Sequence, residues 1–161
     1  MTEQSQAVTV SHPPPAVLKV VNPVLRLLLR TPLLGAAREQ LMVISFKGRK
    51  SGRQYTIPVS AHRIDGNIYA LTGAPWKANF RDGATAEVLL DGKTTAMHGE
   101  LIQDRAAVAD LYRRCSESYG VKRAERMMGM KFRDGQMPSL EDFSQAVQRD
   151  HLVAIRFTPG E

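Results

Sequence analysis

Residues 48–52 read Gly48-Arg49-Lys50-Ser51-Gly52, two glycines enclosing two cations and a hydroxyl. Glycine lets a short connection adopt positive φ and turn successive N–H groups to one side, the geometry of an anion nest. Arg49 and Lys50 add charge and Ser51 adds a donor, so the turn suits a phosphate or a carboxylate. It is not a P-loop, because the GxxxxGK[ST] spacing is absent and no helix pattern follows. A polar hairpin loop with solvated charges fits the same residues equally well, and periodicity does not separate the two.

The other reactive residue types form no comparable group. His62 and His98 fall on strand-like segments and His151 opens one, without metal-ligand spacing such as HxxxH. Ser51 has no evident histidine partner, which leaves nucleophilic catalysis without support. The single cysteine, Cys115, follows Arg113 and Arg114, which would favour its thiolate; a buried helical position explains it as well. One cysteine cannot form an intramolecular disulfide and fits a reducing cytoplasm. Met127, Met128, Met130 and Met137 lie near Lys122, Arg123 and Arg126. They read either as filler of an irregular core or as an apolar trough with a basic rim, suited to a fatty acyl chain and its carboxylate.

The 161 residues carry a formal charge of +6, and 43% are hydrophobic, which describes one globular domain with anionic company. Aromatics are 6%, and no strand interleaves them with cations as base stacking requires, so nucleic acid is not an expected partner. No basic region followed by an apolar run opens the chain, so a secretory signal is not expected, and PPP at 13–15 reads as part of a flexible or extended tail over 1–15.

These groups need elements to position them. Residues 16–34, AVLKVVNPVLRLLLRTPLL, form an amphipathic helical segment that Lys19, Arg26, Arg30, Pro23 and Pro32 make unfit to cross a bilayer. Either it lies across the mouth of the core, or it rests on an anionic membrane surface; residues 4–38 hold four Lys/Arg and no Asp or Glu. From residue 41 the period changes to that of strands: 41–47, 53–64, 68–72, 86–90 and 93–102, with Asp65-Gly66 and Asp91-Gly92 as hairpin turns. WKANFRD at 76–82 is short and helix-like. Asp104 caps a helix ending at Gly120, Lys122 to Met130 is helical, and Ser139 with Asp142 forms a capping box for a helix to Asp150. HLVAIRF at 151–157 returns as a sixth strand. Tight turns without long crossovers imply an antiparallel sheet curling into a barrel.

GRKSG, then YTIPV, then a strand, then W..NF leading into a further strand, resembles the deazaflavin-dependent nitroreductase family, split β-barrel oxidoreductases associated with coenzyme F420. The likeness spans roughly residues 22–103 and includes NPVLRLLLRTPLL, typical of a compact actinobacterial branch. It implies an α+β fold: a six-stranded antiparallel split β-barrel with an N-terminal amphipathic helix and C-terminal helices. By that resemblance Arg49, Lys50, Ser51 and Gly52 hold the phosphate and acidic tail, Pro58 shapes the strand beside the deazaflavin ring, and Trp76 and Asn79 flank the site. Tyr55 stands where better-known members carry another basic residue, and the loop before Trp76 is only Thr72-Gly73-Ala74-Pro75. The methionine-bearing segment replaces a tyrosine-rich one, which makes Tyr55, Met127, Met128 and Met130 candidates for a substrate or lipid pocket. The activity implied is hydride transfer from reduced deazaflavin to a quinone, nitro compound or other hydrophobic acceptor. The other expectation is a non-catalytic fatty-acid-binding protein of the same superfamily. The resemblance also implies a homodimer.

Overall fold

The computed structural model describes residues 7–10 and 41–160. The amphipathic segment expected over 16–34 lies outside the described residues. The fold is α+β, built on one seven-stranded antiparallel sheet. Its strands are β2 (Leu41–Lys47), β3 (Gln54–Ser60), β4 (His62–Ile64), β5 (Asn67–Thr72), β6 (Ala84–Leu90), β7 (Lys93–Ile102) and β9 (Val153–Pro159), in the order β3-β2-β6-β7-β9-β5-β4. Two short strands, β1 (Val8–Val10) and β8 (Met130–Phe132), pair apart from it.

The count of seven corrects the expected six, and the reason lies at Ala61. The segment 53–64 is continuous in sequence, but Ser60 pairs with Leu41 at one edge of the sheet and His62 pairs with Tyr69 at the other. Only Ala61 separates β3 from β4, so the sheet must curl until its two edges lie one residue apart. The result is a curled half-barrel whose two edges are joined through Ala61, itself buried. Pro58 is tolerated within β3 because an edge strand can spare a backbone donor.

Asp65-Gly66 and Asp91-Gly92 have positive φ at both positions, the type I′ geometry whose twist suits the flanking strands. Alternate residues of the sheet then point inward. Met42, Ile44 and Phe46, Ala86 and Val88, Met97, Ile155 and Phe157 fill the barrel, and Phe80 of a 3-10 helix (Pro75–Phe80) closes one end. The Phe80 ring meets Phe46 at 5.0 Å and Phe157 at 5.8 Å, both edge-on. Gly99 lies beneath it, where a Cβ would come within 2.6 Å of the ring.

Among the described residues three α-helices pack on the outside: α1 (Arg105–Tyr119), α2 (Val121–Met128) and α3 (Leu140–Asp150). Asp104 accepts from the Ala107 N–H at 2.9 Å, and Ser139 and Asp142 complete the capping box. His151 ends α3 in the left-handed region with φ 54, so β9 starts two residues later than expected. Val8, Val108, Tyr112, Phe132, Phe143 and Leu152 form the helical core. Val8–Val10 falls in the stretch expected to be a tail; it is held by its pairing with Met130–Phe132 and by Arg149, which donates to the Val8 carbonyl at 2.5 Å. No helix among the described residues is long and apolar enough to cross a membrane.

Candidate functional site

The Gly48–Gly52 turn joins β2 to β3 at the barrel end closed by the 3-10 helix. Gly48 accepts from the Gly52 N–H at 3.0 Å and donates to the Arg53 carbonyl at 2.8 Å, which closes the turn on itself. Gly48 must lack a side chain: a Cβ there would meet the Tyr55 ring at 2.7 Å. That ring stacks on Phe46 with centroids 5.5 Å apart and stays 36% exposed, forming a flat aromatic wall.

The turn is tied to the 3-10 helix by two bonds and to Asp82 just beyond it by a third. The Arg49 N–H donates to Asn79 Oδ1 at 2.9 Å, and the Arg49 guanidinium donates to the Ala78 carbonyl at 3.3 Å and to Asp82 at 2.8 Å. Asn79 is itself oriented by donating to the Trp76 carbonyl at 2.9 Å. The Ser51 hydroxyl accepts from the Arg53 N–H at 3.1 Å. Most of the nest's donors are therefore spent within the protein. Among the described residues, the Lys50 and Ser51 N–H groups remain uncommitted.

Turn and helix enclose a cleft of about 560 Å³ lined by Arg49, Lys50, Ser51, Tyr55, Asn79 and Arg81. Its charge differs from the one read in sequence. Arg49 is neutralised by Asp82, an exposed pair of small energetic worth whose role is to hold the turn. Lys50 and Arg81 form no ion pair among the described residues and give the cleft its net positive charge. Arg81 was not singled out in the sequence. Its signal is the three-residue period of the 3-10 helix, which stacks Ala78 and Arg81 on one edge, with the Arg81 N–H donating to the Ala78 carbonyl. Among the described residues no carboxylate or imidazole lines the cleft, so the donor set fits an anion carried by a group with a flat face.

The other expected residues are dispersed. Gly52 closes the turn but does not line the cleft. Trp76 turns into the barrel end, 6.0 Å from both Phe46 and Phe80. Pro58 pairs with Val43 on the strand face opposite Tyr55. Met130 is buried in the helical core, Met137 packs against it, and Met128 accepts from the Ser116 hydroxyl at 3.3 Å. Met127 is half-buried on α2. None of these four methionines lines a cleft with Lys50.

Two buried groups outside the cleft are chemically quiet. Cys115 is buried on α1, and burial pushes its thiol up to about 12 against the opposing pull of Arg114, so it stays protonated near neutrality. His62 is buried at the start of β4, with Nδ1 2.7 Å from the Tyr119 hydroxyl. Burial lowers its pKa to about 4.

No protein-family model matches this chain, and no curated protein matches it significantly. Among solved structures, a chain solved as a domain-swapped dimer is similar at 13% identity and a TM-score of 0.46, covering 87% of this chain and 97% of its own length. The conserved hypothetical protein Rv2991 from Mycobacterium tuberculosis is similar at 17% identity and a TM-score of 0.46, covering 98% of this chain and 86% of its own. Similarity this distant bears on neither ligand nor activity.

Proposed function

We propose that this chain is a coenzyme F420-dependent oxidoreductase that seats the coenzyme in the Gly48–Gly52 cleft and passes a hydride to a hydrophobic acceptor such as a quinone or nitro compound. The observation that carries the reading is the convergence of Lys50 and Arg81, uncommitted among the described residues, beside the exposed Tyr55 ring. An anionic tail needs cations that the protein has not already neutralised, and a planar ring needs an apolar face. The bound coenzyme supplies the hydride chemistry.

The protein's part follows from its own atoms. Lys50 and Arg81 bind the anionic end, and the Ser51 hydroxyl and the two uncommitted N–H groups donate to it. Tyr55, backed by Phe46, offers the aromatic face. Arg49 and Asn79 are positioning residues: they hold the turn against the helix and keep Lys50 and Arg81 on one opening. Among the described residues no carboxylate or imidazole lines the cleft, and orientation and exclusion of water are what it contributes.

Lys50→Ala is expected to weaken F420 binding about tenfold, the loss of one charge-assisted bond, while leaving thermal unfolding unchanged because Lys50 is exposed. Calorimetric titration reads this directly, and an unchanged affinity would remove the turn from the site. Anaerobic mixing of reduced F420 with a naphthoquinone tests the reaction, through the return of the oxidised coenzyme's absorbance. The proposal extends to a cytoplasmic homodimer whose basic segment 16–34 rests on the inner face of the membrane. Sedimentation with phosphatidylglycerol vesicles that falls as salt is raised, and a dimer mass in solution, are the expected results. Salt-independent sedimentation or a monomer mass would refute the corresponding part.

A further inference from the structure

Ser51 is exposed in the Gly48–Gly52 turn and lines the cleft there. Arg49 and Lys50 precede it, Arg53 follows two residues later, and residues 40–64 hold no Asp or Glu. The other described serines lack that combination. Ser116 has Arg113 and Arg114 upstream, but it is fully buried within α1 and donates to Met128. Ser139 is engaged in the cap of α3, and Ser144 accepts from Arg105. Ser45 is buried, and Ser118 directly follows Glu117.

We infer that Ser51 is a phosphorylation site, and that its phosphoryl group folds into the cleft and shuts it to other anions. The modification stands on the turn itself, whereas the ligand it displaces rests on the coenzyme reading above. A protein kinase with an acidic substrate groove recognises Arg49, Lys50 and Arg53 by charge. Transfer forms the Ser51 Oγ–P bond and breaks the bond from the γ-phosphorus of a nucleoside triphosphate to its bridging oxygen. The nucleoside diphosphate leaves, and the hydroxyl proton passes to the kinase's base. Two backbone bonds close the turn, from the Gly52 N–H to Gly48 and from the Gly48 N–H to Arg53, and the flanking glycines let it open to present the hydroxyl. Once attached, the group carries about −1.5 to −2 charge and three acceptor oxygens. Lys50 and Arg81, without an ion pair among the described residues, line the same cleft, and the Lys50 and Ser51 N–H groups are uncommitted there. No described Asp or Glu lines the cleft to repel it. A group tethered to the wall competes at an effective concentration on the order of millimolar, which a dilute free ligand does not match.

The test compares the full chain carrying phosphoserine, installed at position 51 during translation, with the unmodified chain. Phosphorus NMR is expected to show the phosphoserine losing its last proton at lower pH than the same group in a peptide of residues 46–56. Lys50→Ala/Arg81→Ala is expected to return that titration to the peptide's. Calorimetric titration with F420 is expected to be about a hundredfold weaker for the phosphorylated chain. A kinase selective for basic flanks, supplied with ATP, is expected to label the unmodified chain at Ser51, read by tandem mass spectrometry, and to leave Ser51→Ala unlabelled there. The inference is overturned if the phosphoserine titrates as in the peptide, if the folded chain is not labelled at Ser51, or if both forms bind F420 equally. An unmodified chain that does not bind F420 sinks the coenzyme reading instead, and the NMR titration and the labelling then decide this one.

Discussion

Phe80→Ala is expected to lower the unfolding free energy by about 3–5 kcal/mol, the usual cost of emptying an aromatic site in a core. The ring is fully buried and meets Phe46, Trp76 and Phe157. Domains of this size are stable by only ~5–15 kcal/mol, so the loss is a large share of the whole. The effect reaches the candidate cleft, because Phe80 moors the helix that carries Asn79 and is capped by Arg81. Gly99→Ala attacks the same contact from below, since its Cβ would lie 2.6–2.7 Å from the ring and 3.0 Å from Phe157; overpacking of this kind costs about 1–3 kcal/mol. Urea denaturation measures both. Wild-type midpoints in either variant would mean that Phe80 does not anchor the barrel end.

The second large effect is a loss of stability in acid, traced to His62. In the folded protein its pKa is lowered to about 4 by burial, against 6.5 for an exposed imidazole. The unfolded chain therefore takes up a proton as pH falls through 6.5, while the folded chain resists until about 4. Above that window His62 is neutral in both states and exacts no penalty; across it stability falls, by roughly 3 kcal/mol in total. His62→Gln keeps a polar partner for the Tyr119 hydroxyl but cannot titrate. Unfolding free energies measured from pH 7 to pH 4 are expected to fall more steeply for the wild type than for the variant. Parallel curves would mean that His62 is not a source of acid lability.

What was legible in the sequence was what is decided locally. The two Asp-Gly turns, the Asp104 cap and the Ser139–Asp142 box each depend on residues within a few positions of one another, and each stands where the pattern put it. The break at Ala61 leaves only a faint local mark, the change of phase from Tyr55, Ile57, Val59 and Ala61 to Ile64, and it is the curl of the sheet that assigns the two halves to different edges. The pairing of Val8–Val10 with Met130–Phe132 was hidden for the same reason: short segments far apart in sequence carry no local mark of their partner. At the site, the glycine turn, Tyr55 and Asn79 were visible as residue types. The commitment of Arg49 to Asp82 and of the nest's donors to the protein was not, since those bonds span about thirty residues. That commitment leaves Lys50 and Arg81 as the cleft's cations without an ion pair among the described residues.

The most direct test of the central claim is calorimetric titration of the delipidated protein with coenzyme F420, beside a Lys50→Ala/Arg81→Ala double variant. One saturable site, weakened about a hundredfold when both cations are removed, is the predicted result. No binding by the wild type, or equal binding by the double variant, would contradict it.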